Sequence, residues 1–141
     1  ESEGYKEAVA LCDVIKRNGN KGTWNLAAEY FADYWNGSGS WEGMDSERQD
    51  KFIAAIKPNY HEWDCVMNES ISIEEWKHDL PTNTTVLMSE YTVQSIKGIN
   101  NLFQSKIPDW SYVNYSDGGH MAPLTHANII NPLIEKVLKS K

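Results

Sequence analysis

The stretch Tyr112-Val113-Asn114-Tyr115-Ser116-Asp117-Gly118-Gly119-His120-Met121-Ala122-Pro123-Leu124-Thr125-His126 decides how the rest of the sequence is read. Trp110, Tyr112, Val113 and Tyr115, with Ser111 and Asn114 between them, have the pattern of a buried strand end. Two glycines then force a sharp turn, and a histidine follows at its mouth. Glycine serves where φ must be positive or where backbones must approach closely, so Gly118-Gly119 fixes where the His120 imidazole points. A tight loop at the carboxyl end of a strand is where an α/β enzyme keeps its proton carrier, because ligands bind outside those strand ends.

Working outward, Thr84-Thr85-Val86-Leu87-Met88 is a short β-branched and apolar run between Pro81 and Glu90, the signature of another buried strand. Between the two runs Thr92 is placed to cap a helix carrying Val93, Ile96, Ile99, Leu102 and Phe103 on one side and ending at Ile107-Pro108. Strand, helix and strand in this order predict a βαβ unit with parallel strands. A last helix carries Ile129, Ile130, Leu133, Ile134, Val137 and Leu138, with Pro132 in its first turn. His126 is expected where that helix begins, and Lys136, Lys139 and Lys141 near its carboxyl end, where cations are favoured.

Upstream, the pattern is helical throughout. Tyr5, Ala8, Val9, Cys12 and Ile15 recur at helical spacing before a stop at Asn18-Gly19, and Trp24, Ala27, Ala28, Phe31 and Trp35 do so between Thr23 and Asn36-Gly37. After the loop Gly37-Ser38-Gly39-Ser40, Ser46 and Gln49 have capping-box spacing for a helix through Phe52, Ile53 and Ile56, which Pro58 breaks or restarts. Ser72 and Glu75 form a second capping box, for Ile73 to Leu80. The expected fold is therefore α/β and helix-rich: a helical, lid-like region over residues 1–81, then a strand-helix-strand-helix part over 82–141, together one structural domain.

The 141 residues are 40% apolar with six tryptophans, enough to bury a sizeable core. A net charge of -7 with scattered basic residues argues against a nucleic-acid surface. Cys12 and Cys65 lack metal or disulfide spacing and are expected as reduced core residues. The four histidines, among them His61 and His78, have no ligand spacing, so neither a metal nor a cofactor is expected. Without a membrane-length apolar run or a signal-like N-terminus, a soluble cytoplasmic protein is expected.

Gly-Gly-His-Met-Ala-Pro-Leu-Thr-His (118–126), followed by Ile129-Ile130-Asn131-Pro132-Leu133-Ile134, resembles the catalytic-histidine loop of the α/β-hydrolase family. Phe31-Ala32-Asp33-Tyr34-Trp35-Asn36-Gly37-Ser38-Gly39-Ser40-Trp41 is similar to a cap segment of the same family. The resemblance implies the C-terminal portion of such a hydrolase, with a helical lid, the last two strands, and His120 as catalytic histidine for ester, thioester or carbon-carbon hydrolysis. The family's acid position, counted on from Met88, falls near Thr92, which cannot serve, so Glu90, two residues away, is the candidate triad acid unless the acid follows the preceding strand as in some branches. Trp35 and Met121 are candidate substrate-pocket residues by the same resemblance. Asp117 is expected to shape the turn instead.

The family's nucleophile sits on Gly-x-Ser-x-Gly at a strand-to-helix turn. That motif does not occur here, since Gly37-Ser38-Gly39-Ser40 has neither a preceding strand nor the final glycine. The isolated chain is thus expected to be inactive, its partner being a second chain that carries the nucleophile. The alternative is a non-enzymatic helical binding or interaction module taking a small apolar ligand or self-associating as a homodimer.

Overall fold

A computed structural model describes residues 2–139, so Lys141 of the expected C-terminal cations lies outside the described residues. The chain divides into two compact units, Glu1–Ser70 and Ile71–Lys141.

The first unit is helical. Helix α1, Glu3–Lys21, starts at Ser2, whose hydroxyl accepts the Tyr5 N–H at 3.2 Å, and ends on left-handed Gly22. It runs through the expected stop at Asn18-Gly19. Gly19 is a packing residue: a Cβ there would run into the Tyr60 ring, so the missing side chain makes room for Tyr60. Helix α2, Trp24–Asn36, presents Ala27, Ala28 and Ala32, all fully buried, and such small residues allow close helix approach.

Helix α3 runs unbroken over Ser46–Met67, with Pro58 inside it, contrary to the expected break. An interior proline costs about 3 kcal/mol. Ile56 and Trp63, one on each side of Pro58, are both buried in the unit's core with Leu11, Ile15, Ala27 and Ala28. Burying large apolar side chains returns about 1.5–3 kcal/mol each, which offsets the lost hydrogen bond. The cap of α3 is Asp45, whose carboxylate accepts the Arg48 N–H at 2.8 Å, one residue before the expected Ser46. Gln49 instead donates to the Trp41 carbonyl at 2.9 Å. Cys65 is exposed on α3 and Cys12 half-buried, both as free thiols, so Cys65 is no core residue.

The second unit opens with helix α4, Ile73–Asp79, on the Ser72 and Glu75 capping box. Strand β1, Thr85–Ser89, and strand β2, Ser111–Tyr115, pair in parallel, with Thr85 opposite Ser111 and Ser89 opposite Tyr115. Between them lies helix α5, Gln94–Lys106; the short α6, Ala122–Thr125, and α7, Ala127–Lys139, follow β2. The protein is thus helix-rich α/β, with a helical region followed by a strand-helix-strand unit and further helices.

Side chains alternate across a strand, and the two sheet faces have different neighbours. Thr85, Ser111 and Val113 line a cavity of about 200 Å³ with Leu133, Lys136 and Val137 of α7. Tyr112, on the opposite face by alternation, donates its hydroxyl to the Ile107 carbonyl at the end of α5, at 2.8 Å. Ile107, Trp110, Ala122 and Ile130 are the buried apolar residues of this unit.

Two expectations fail here. Thr92 does not cap α5: the capping position is Val93, and the Thr92 hydroxyl is buried without a hydrogen-bond partner. Pro132 is the sixth residue of α7. The helix already starts at Ala127 because the His126 carbonyl accepts the Ile129 and Ile130 N–H groups, and both Pro132 and Asn128, whose carbonyl loses its donor, face solvent.

Candidate functional site: the carboxyl ends of the parallel strands

Both strands end level with one another, and the last cross-strand backbone bond runs from the Glu90 N–H to the Tyr115 carbonyl at 3.0 Å. From that rung one loop continues as Glu90-Tyr91-Thr92 and the other as Ser116-Asp117-Gly118-Gly119-His120. The Ser89 hydroxyl joins them. Ser89 Oγ donates to the Gly118 carbonyl at 2.5 Å and accepts the Tyr91 N–H at 3.1 Å, with Ser89 only 2% exposed.

Gly118 meets both demands that single out glycine. Its φ is +74°, in the left-handed region, and a Cβ would lie 2.8 Å from His126 Nδ1 and 2.9 Å from Ala122 Cβ. Gly119 passes close to the Tyr91 carbonyl, 3.7 Å from where its own Cβ would stand. The Ala122 N–H donates to the Gly119 carbonyl at 3.0 Å, closing a four-residue turn with His120 at its second position. Met121, with φ -85° and ψ 9°, has the third-position geometry of a type I turn. Its carbonyl then accepts the Leu124 and Thr125 N–H groups, which starts α6.

His120 is half-buried, and this burial lowers its pKa from the ordinary 6.5. Taking a charged imidazole out of water is unfavourable, so the ring is neutral at pH 7 and has a lone pair to accept a proton. That is the protonation state a general base needs.

His120, Met121 and Glu90 stand on the two loops that leave the carboxyl ends of the parallel pair. Met121 is half-buried, whereas Glu90 is exposed. Trp35 belongs to the helical unit, on α2, where its ring makes edge contacts with Tyr34 at 4.7 Å and Phe31 at 6.0 Å. Asp117 is exposed beside Gly118. The Gly37-Ser38-Gly39-Ser40 loop is held by Asp33, whose carboxylate accepts the Gly39 and Trp41 N–H groups at 3.1 and 2.8 Å. It follows a helix, and so lacks the strand that precedes a nucleophile elbow.

Two contributors were not singled out from sequence. Ser89 is a serine closing an apolar strand, a signal too common to mark it. His126, read only as a helix-start residue, also has its ring against Gly118 and hydrogen-bonded to Thr125 Oγ1 at 2.8 Å. Among the described residues no group of three or more His, Cys, Asp or Glu is arranged to hold a metal ion, and no helix is long and apolar enough to cross a membrane. Comparison of the chain with protein-family models, curated proteins and solved structures gave no match.

Proposed function

We propose that this chain is the C-terminal, lid-bearing part of a cytoplasmic α/β-fold hydrolase, in which His120 is the general base for ester, thioester or carbon-carbon bond hydrolysis. The observation that carries this reading is a half-buried imidazole, its pKa lowered by that burial, on a glycine turn at the carboxyl end of a parallel strand pair. His120 takes the proton of a serine hydroxyl as that oxygen attacks the substrate carbonyl, and later returns it to the leaving group. The serine comes from polypeptide outside these residues. Glu90, two residues beyond Met88, is the carboxylate assigned to orient the ring, and Met121, beside His120, is assigned to the substrate pocket.

The test is fluorophosphonate labelling, which requires an activated serine. The isolated chain is expected to remain unlabelled. Its complex with a polypeptide bearing Gly-x-Ser-x-Gly is expected to label on that serine, with His120→Ala slowing the reaction by about 10²–10⁴-fold. Equal labelling of the His120→Ala complex overturns the reading.

A second reading, a helical module that binds a small apolar ligand, draws on an open groove of about 640 Å³ in the first unit, lined by Val14, Leu26, Tyr30 and Tyr34 together with Arg17 and Glu29. An apolar dye whose fluorescence rises with the wild-type chain and not with Tyr30→Ala favours it.

A further inference from the structure

We infer that Ser89 is a positioning residue for His120: its buried hydroxyl, bonded to both loops that leave the parallel strands, holds the loop on which the imidazole is carried. The inference rests on the reading of His120 as the working base and deepens it, by naming what keeps that base in place.

A serine hydroxyl has one proton to donate and lone pairs to accept with. Ser89 uses both capacities in different directions. It accepts from Tyr91, two residues along its own loop, a local arrangement common for serine. Its proton goes to Gly118, 29 residues away, in the loop of His120. A residue that only shaped its own turn would be satisfied by accepting, whereas the donated bond ties β1 to the other loop just beyond the last backbone rung at Glu90 and Tyr115.

The position of that bond gives it leverage. Gly118 is confined on one flank by His126 Nδ1 and Ala122 Cβ, which leave no room for a side chain. Its carbonyl is engaged by Ser89. The Ala122 N–H holds the next carbonyl, of Gly119. The two peptide groups preceding His120 therefore each have an assigned hydrogen bond, and the backbone that carries the ring is held by them. Ser89 is 2% exposed, and removing its hydroxyl leaves the Gly118 carbonyl and the Tyr91 N–H without this partner; the two loops are then expected to shift as these groups exchange it for water. Aspartate does not substitute, because a carboxylate has no proton for the Gly118 carbonyl. A displacement of about 1 Å in a base is enough to cost about 10²-fold in rate.

The test reads the histidine directly and needs no turnover. In the isotopically labelled chain, Ser89→Ala is expected to speed Tyr91 amide exchange about tenfold and to move both the His120 ring signals and their titration midpoint toward those of a solvated histidine. Ser89→Thr, which keeps the hydroxyl, is expected to stay close to wild type. Faster Tyr91 exchange with His120 signals unchanged reduces Ser89 to a local turn former and overturns the inference, as does a Ser89→Thr chain whose His120 is displaced as far as in Ser89→Ala. Should Ser89→Ala fail to fold, the wild-type chain in rising urea decides. Tyr91 protection and the native His120 signals lost together support the linkage, and His120 freed while Tyr91 stays protected contradicts it. Failure of fluorophosphonate labelling, in contrast, counts against the hydrolase reading alone.

Discussion

The helical unit and the strand-bearing unit are held together by different means. In Glu1–Ser70 the core of Leu11, Ile15, Ala27, Ala28, Ile56 and Trp63 is continuous, and half-buried aromatics such as Trp24, Phe31, Trp35 and Tyr60 pack around it. In the strand-bearing unit the buried apolar residues are fewer, and the candidate site is built from polar contacts: one serine hydroxyl, two glycine carbonyls and a backbone rung. The lesson is one of tolerance. Non-directional packing absorbs local irregularities such as Pro58, whereas a loop positioned by single hydrogen bonds depends on individual atoms.

The largest expected effect is in the helical core. Leu11→Ala, at a residue 1% exposed, is expected to cost about 2–5 kcal/mol through lost burial and a residual cavity. Urea unfolding followed by far-ultraviolet circular dichroism measures it, with the His120 ring signals expected to keep their native positions at zero urea. Next is Gly118→Ala, which forces a side chain into left-handed backbone and against Ala122 and His126. About 1–3 kcal/mol of strain is expected, together with displaced His120 and His126 ring signals. If Gly118→Ala is silent and Leu11→Ala moves the histidines, the contrast between the units is wrong. The smallest effect is at Thr92, where an unbonded buried hydroxyl makes Thr92→Val stabilising by about 1 kcal/mol. A loss of similar size shows that the hydroxyl has a partner.

What was readable in the sequence follows the same division. Helical periodicity revealed α1, α2 and the buried stripe of α2, because a repeating apolar face is written in residue types. It misplaced boundaries where tertiary packing overrides local signals: Gly19 looked like a helix stop and is a niche for Tyr60, and Pro58 looked like a break inside what packing keeps as one helix. The parallel pair was readable from two β-branched and aromatic runs separated by a helix-length interval. The glycine turn was readable because φ +74° at Gly118 leaves a residue signature. Ser89 was not, since a bond to a carbonyl 29 residues distant leaves no local pattern.

The pH dependence of stability has a definite sign at His120. Burial lowers its folded pKa below the ordinary 6.5, so the unfolded chain takes up a proton first as the solution is acidified. His120 therefore makes stability fall as pH drops through about 6.5 toward the folded pKa, where the decline attributable to it ends, and His120→Gln flattens that part of the curve.

The most direct test is a nuclear magnetic resonance titration of the His120 ring in the folded chain. A midpoint below 6.5, with the ring neutral at pH 7, is the expected result for a base held half-buried on its glycine turn. A midpoint at or above 6.5 means a freely hydrated or charge-paired imidazole, and contradicts the proposal that the turn keeps a proton acceptor ready.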